Sequence, residues 1–381
     1  MTIPFELPPT PLLGDVSLPI DLHDERLDTP AILVDLDIVD LNIQSMASFA
    51  QREGFAMRPH TKTHKSIAMA QRQLAAGAAG LSVATTTEAE VMMRSGVTDL
   101  LLAYPIVGRR KLDRLIPLLK MGGLTLVSDS PEITENYRQL AERVGCTVPV
   151  ILEVDSGMDR AGADPREVTS LALEIARTKG LHFRGIMTHA GHAHDVLDSA
   201  GIEKIARQEA LIMGRTREEL ELVGLDVEVV SAGSTITSPY LRGSDGITEL
   251  RPGTYIYNDL RTLNRYACTR EMLAATALGN VVSINNDRIT LNTGSKTLTS
   301  TRDSIYGYGA LTSDPEAQWL RLSEEHATLK MGSGVTYSVG DRIQISPIHI
   351  CVWIDLQVEI YGHRNGKILE RIRIDAMRHS L

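Results

Sequence analysis

The sequence predicts a (β/α)8 TIM-type barrel followed by a mainly β domain. Three observations lead there. Between Thr29 and about Tyr255, short apolar runs without internal alternation are each followed by an amphipathic stretch. After about Asn264 the helical periodicity fades, and the runs are separated by Gly and Asn-Asp turns. The 381 residues also exceed the ~250–300 at which a single core usually stops growing, which predicts two domains. Unalternated apolar runs, each leading into a helix, are the pattern of parallel strands covered on both faces.

Taken in order, the strand runs of the first half fall at 31–34, 55–57, 81–84, 100–103, 124–127, 148–154, 185–189 and 227–230. Amphipathic stretches at 66–74, 86–94, 110–119, 131–144 and 201–222 lie between them. About eight such units in roughly 230 residues match the ~250 residues typical of the barrel. A doubly wound open sheet is the alternative, but no Gly-x-Gly-x-x-Gly follows an early strand. In the second half, strands are expected at 281–284, 288–291, 342–345, 350–354 and 357–361, with Asn285-Asn286-Asp287 as a hairpin turn. The expected division is 27–263 for the barrel and 264–381, joined by 1–26, for the β domain.

Composition removes several classes of function. A net charge of −9 with no basic stripe argues against a nucleic-acid partner. No apolar run approaches the ~18–20 residues that cross a bilayer. The N-terminus has neither a basic region nor a long apolar core, so it does not read as a signal peptide. Three scattered cysteines do not make a disulfide framework. A cytoplasmic protein without membrane contact, acting on a small molecule, is the expectation.

The segment Arg58-Pro59-His60-Thr61-Lys62-Thr63-His64-Lys65 carries the most chemical information. It follows the run at 55–57 and opens a helical pattern, which places Lys62 at the carboxyl end of a strand. Burial among apolar atoms and other cations would lower its pKa and let it form a Schiff base. Alone, the run reads equally as a solvated basic loop.

Other strand ends carry further candidates. Asp155-Ser156-Gly157-Met158-Asp159-Arg160 follows the run at 148–154 and could be an ordinary Gly-rich turn. His189, His192 and His194 lie after the run at 185–189; if that segment is extended, His192 and His194 share a side, as ligands or proton carriers. Ser234-Thr235 and Gly253-Thr254-Tyr255 are turns whose N–H groups and hydroxyls suit a phosphate, at the end of the barrel where such sites form. His349-x-Cys351 is an imidazole–thiolate pair suited to zinc, or a buried cysteine beside a lone histidine.

The string at 58–65 resembles the lysine motif of the fold-type III pyridoxal-phosphate enzymes, the group of D-threonine aldolase and D-serine dehydratase. The resemblance runs from about Thr29 to Asp355. It implies pyridoxal 5′-phosphate on Lys62, with His60, Arg160, Ser234, Thr235, Gly253, Thr254 and Tyr255 as cofactor-binding residues. Arg160 would lie near the phenolic oxygen. His349 and Cys351 resemble the metal pair of the dehydratases, implying zinc, with manganese or magnesium as alternatives; the aldolases show His-x-Asp there. The implied reaction is dehydration of a β-hydroxy-D-amino acid, with Lys62 as the base. The alternative is retro-aldol cleavage with His192 or His194 as the base. A racemase is the third reading, with Tyr306 or Tyr308 as second base, and a homodimer is the expected assembly. His194 stands where relatives have a tyrosine near the pyridine nitrogen, which leaves that partner open. The segment 291–296 lacks an acidic residue usual in the family, Val352-Trp353 replaces a common Pro-Thr, and His326 is a supporting candidate only.

Overall fold

The computed structural model describes residues 16–377. Eight parallel strands form one sheet, in the order Ala56–Met57, Glu249–Leu250, Val229–Ala232, Leu181–Met187, Val148–Glu153, Leu124–Ser128, Leu100–Pro105 and Leu81–Val83. Its edges meet: Ala79 N–H donates to Met57 O (2.8 Å), Ser82 N–H to Pro59 O (2.9 Å), and His60 bridges Ser82. The sheet is therefore a closed barrel, as the run-and-helix alternation predicts.

The two faces of each strand divide as its pleat requires. Leu100, Leu102, Leu124, Leu126, Val150 and Leu152 pack outward in the main core, while Leu101, Val127, Ile151 and Met187 form a small inner cluster. The next inward positions, Ala103, Glu153 and His189, lie one pleat further toward the carboxyl ends. The apolar runs thus stop just below the chemistry.

Two of the longer helices are not among the stretches the sequence predicts. Leu36–Glu53 starts where the Asp35 carboxylate accepts from Asp37 and Ile38 N–H, and stops at Gly54 in the left-handed region (φ 77°). Val168–Arg177 covers the strands around it with Val168, Leu171, Ala172 and Ile175.

The run at 31–34 corrects the expectation. Strand Ala31–Asp35 lies in the second sheet, antiparallel to Ala275–Asn285 and parallel to Glu359–Arg364. A short run buried on both faces does not specify which sheet it joins. The eighth barrel strand is instead the two-residue Glu249–Leu250, paired between Ala56–Met57 and Val229–Ala232.

The second sheet also holds Arg288–Leu291, Gly309–Leu311, Gln318–Leu322, Ala327–Lys330, Arg342–Pro347 and Lys367–Arg373, with Ile20–Asp21 at its edge. The Asn-Asn-Asp hairpin forms, with Asn286 at φ 56° and Asn285 paired to Arg288. Residues 350–354, expected as a strand, are the helix Ile350–Asp355. Its first N–H, from Ile350, donates to Asp259 Oδ2 at 3.1 Å. That cap comes from 91 residues away, so no local pattern announces it. The strand expected at 357–361 runs at Glu359–Arg364. Of the N-terminal 1–26 assigned to the β domain, residues 1–15 lie outside the described residues.

Candidate active site

The carboxyl ends of the barrel strands surround one cavity. It is lined by Lys62, His60, Arg160, His189, His194, Ser234, Thr235, Gly253 and Thr254, together with His349 and Cys351 from the chain beyond the barrel. Lys62 occupies the short 3-10 turn Thr61–Thr63, where its N–H donates to His60 Nδ1 at 3.3 Å. Burial lowers its pKa, and Arg160 and Arg251 add to that, while Cys351 and Glu88 oppose it. Burial likewise holds His60 and His189 well below the ordinary imidazole range, helped by Lys62 and Arg251.

The lysine turn is fixed on both sides. The next turn of chain holds His64, whose Nδ1 accepts from Ser66 N–H (3.1 Å); its proton therefore sits on Nε2, which donates to Gln73 Oε1 at 3.1 Å. Gln73 Nε2 donates to Tyr255 OH (3.0 Å), and Tyr255 N–H to Thr235 Oγ1 (3.1 Å). A hydrogen-bonded chain thus ties the lysine loop to the turn at Ser234-Thr235. Lys65 pairs with Asp355 (2.6 Å) and Glu88 (3.4 Å), joining the same loop to the helix that carries Cys351.

Ser234-Thr235 and Gly253-Thr254 follow the seventh and eighth barrel strands, the usual phosphate position of this fold. Gly233 turns in the left-handed region (φ 78°), and its N–H donates to buried Glu209 at 3.0 Å. A Cβ on Gly253 would come within 3.0 Å of Thr63 Oγ1 and 3.3 Å of His60 O, so the turn packs directly on the lysine loop. Tyr255 is buried against Gln73 and does not line the cavity.

Arg160 is presented by a loop wound around Asp155, whose Oδ1 accepts from Gly157 and Met158 N–H at 2.9 Å each. Below the cavity, Arg58 pairs with Glu249 (2.7 Å) and Asp99 (2.7 Å). Ser231 Oγ donates to Glu249 (2.6 Å) and accepts from Arg251 (2.6 Å). This buried network aims Arg251 at the cavity floor.

The histidine loop differs from expectation. Gly191–Asp195 is a 3-10 turn, so His192 and His194 do not share a side. His194 lines the cavity, while His192 does not and lies near Gly157. Burial beside His349 and Arg261 lowers the His194 pKa to about 4. Its carbonyl is clamped by Arg265 Nη2 at 2.7 Å.

His349 and Cys351 do enter the cavity together, but not along an extended strand. His349 is extended (φ −141°, ψ 100°), and Cys351 lies in the first turn of the helix after it. Cys351 Sγ is 3.3 Å from Thr63 Oγ1, and His349 Nδ1 accepts from Arg261 Nη1 at 3.2 Å. Burial lowers the His349 pKa, and it pushes the Cys351 thiol up. Among the described residues no cluster of three or more His, Cys, Asp or Glu could hold a metal. His326 lies exposed at the hairpin between Gln318–Leu322 and Ala327–Lys330, away from the cavity. Tyr306 and Tyr308 also lie outside it, Tyr308 edge-on to Trp319.

Asp259, Arg261, Arg251 and Glu153 line the cavity but were not among the sequence candidates. Asp259 and Arg261 follow the Gly-x-Tyr turn directly, and that adjacency was the one signal available.

The alanine racemase N-terminal domain family matches residues 34–260, and a serine dehydratase domain matches residues 274–363. The chain is 31% identical over 348 residues to a D-threo-3-hydroxyaspartate dehydratase of Delftia sp., covering 85% of this chain and 91% of that one. It belongs to the fold-type III pyridoxal-phosphate enzymes. Within them it is a lyase of the group that includes D-amino-acid dehydratases and D-threonine aldolases. A D-serine dehydratase of Dictyostelium discoideum is 27% identical, covering 86% of this chain and 91% of that one. Among solved structures, a D-threonine aldolase from Filomicrobium marinum superposes with a TM-score of 0.88 at 27% identity, covering 96% of this chain and 99% of that one. The Delftia dehydratase gives 0.84 at 28%, covering 93% and 98%. No described helix is long and apolar enough to cross a membrane.

The residues present fit the cofactor of this family. A lysine with a depressed pKa lines one cavity with two hydroxyl-bearing turns and Arg160, and at Gly253 the second turn packs too closely on the lysine loop to carry a Cβ.

Proposed function

We propose that the protein dehydrates a β-hydroxy-D-amino acid of the D-serine or D-3-hydroxyaspartate type, using a divalent metal held by His349 and Cys351. The observation that carries this reading is that both residues line the same cavity as Lys62. Pyridoxal phosphate, when bound, supplies a sink for the electron pair released at the substrate's α-carbon.

The protein's own groups do the rest. Ser234, Thr235 and Thr254 would bind the phosphate with hydroxyls and backbone N–H, and Arg160 the phenolic oxygen. Lys62, once free, is an amine whose burial favours its neutral form, so it can remove the α-proton. His349 and Cys351 would hold zinc, with manganese or magnesium as alternatives, and the metal would supply Lewis acidity toward the β-hydroxyl. Burial keeps the imidazole neutral and Thr63 contacts the sulfur. Because Arg261 engages the Nδ1 lone pair of His349, holding a metal would require that bond to be released, leaving the Arg261 fork free. A cysteine-to-alanine mutant of a D-threo-3-hydroxyaspartate dehydratase has been solved in a metal-free form. A homodimer is part of this proposal.

Retro-aldol cleavage remains a second reading because of one observation: His194 lies on the cavity with a pKa of about 4, a neutral base for the β-hydroxyl. His192 does not line the cavity, which favours His194 for that role.

Substrate deuterated at the α-carbon separates the two. Dehydration must break the Cα–H bond, so D-serine or D-threonine carrying α-deuterium should react more slowly and lose the label to solvent. Full retention of the label in glycine would refute the dehydratase reading.

A further inference from the structure

Resting on that reading, we propose that Arg261 determines specificity by binding a second carboxylate, carried on the substrate's β-carbon. The substrate class is then the β-hydroxy-D-amino dicarboxylic acids.

Arg261 lies on the short helix Leu260–Asn264 and is half-buried at the cavity wall. Among the described residues no carboxylate pairs with it, and its side chain's one hydrogen bond goes to His349 Nδ1 at 3.2 Å. An arginine only donates. That bond therefore uses the Nδ1 lone pair of His349 and leaves most of the guanidinium fork unmatched. A half-buried guanidinium without an anion is costly unless a ligand supplies one, and the fork matches a carboxylate.

Asp259, on the same cavity, does not serve. Asp259 is occupied by Thr262 N–H (2.9 Å) and Ile350 N–H (3.1 Å), where it caps two helices. Its charge is shared with those N–H dipoles, and burial raises its pKa.

Position decides which carboxylate Arg261 would meet. The cavity arginines divide into two sets. Arg160 and Arg251 act on Lys62 and His189, the cofactor side. Arg261 acts on His349 and His194, the side assigned to the β-hydroxyl. An amino acid with its nitrogen toward Lys62 and its β-oxygen toward His349 carries its β-substituent beside Arg261. A hydrogen or methyl there leaves the guanidinium unmatched, whereas a carboxylate completes it.

The test compares kcat/KM for threo-3-hydroxy-D-aspartate and D-serine in wild type, Arg261→Gln and Arg261→Lys. In Arg261→Gln the ratio of the two should fall roughly tenfold to a hundredfold, the range of a charge-assisted hydrogen bond. Arg261→Lys should recover part of it, keeping charge without the fork. An unchanged ratio, with both substrates slowed alike, overturns the proposal, since an α-carboxylate anchor or a structural role would behave so. A second arm needs no turnover: calorimetric binding of D-malate, which has the hydroxyl and both carboxylates but no amine. Its affinity should drop at least tenfold in Arg261→Gln, and equal affinity overturns the proposal. If wild type turns over no β-hydroxy-D-amino acid, the dehydratase reading has failed, and the D-malate arm still decides the role of Arg261.

Discussion

Replacing Lys65 with methionine keeps the aliphatic stem and removes the charge that sits between two carboxylates. Lys65 Nζ lies 2.6 Å from Asp355 and 3.4 Å from Glu88, with side chains 9%, 33% and 0% exposed. Breaking a buried pair by removing one partner costs about 3–5 kcal/mol. Asp355 can turn to water, so its share is small. Glu88 cannot, although it keeps Ala84 N–H at 2.8 Å. We therefore expect a loss of ~3 kcal/mol, the low end of that range. At ~2.1 cal/mol/K of unfolding entropy per residue over 381 residues, Tm falls by roughly 4 °C. Glu88→Gln added to Lys65→Met keeps an acceptor for Ala84 and should restore most of the loss.

The sign with pH follows from Glu88. Burial raises its folded pKa above the unfolded value of 4.5, so between the two the folded state binds more protons and stability falls as pH rises. Without Lys65 that pKa climbs further. The deficit of Lys65→Met should then be small near pH 4 and full near pH 8. Urea unfolding followed by tryptophan fluorescence across this range measures it. A mutant within ~0.5 kcal/mol of wild type at pH 8, the ordinary scatter of surface substitutions, would refute the reasoning, as would a deficit that shrinks with pH.

Three further outcomes are expected. Lys62→Ala should abolish both the visible absorption of the cofactor-loaded protein and turnover; a surviving covalent cofactor mapped to Lys65 would move the assignment. His349→Ala and Cys351→Ala should each weaken zinc binding at least ~10-fold, because two protein donors share the ion, and inductively coupled plasma analysis after dialysis reads this directly. His194→Ala should slow turnover far more than His192→Ala, since the first lines the cavity and the second does not; equal losses in steady-state kinetics would contradict that placement.

Much of the site was legible because its parts lie on short strings at strand ends. Lys62, the turn at Ser234 and Arg160 each follow a run whose apolar residues placed them at one end of a barrel. Contacts distant in sequence were not legible. Residues 350–354 are β-branched and aromatic enough for a strand, yet they form a helix whose first N–H is capped by the distant Asp259. Ala31–Asp35 reads like any buried strand, and its partners, 275–278 and 361–363, lie more than two hundred residues away. His192 and His194 alternate in sequence, but the tight turn after Ala190 rotates them apart. Asp259 and Arg261 carry no motif, so their role came from geometry.

The central claim is that Lys62 and a metal on His349 and Cys351 act together to expel the β-hydroxyl. Incubating the cofactor-loaded protein with D-threonine, with and without chelator, and identifying the products tests it most directly. The account predicts 2-oxobutyrate and ammonia, lost on chelation and regained with zinc. Glycine and acetaldehyde as the products, or undiminished 2-oxobutyrate from metal-free protein, would contradict it.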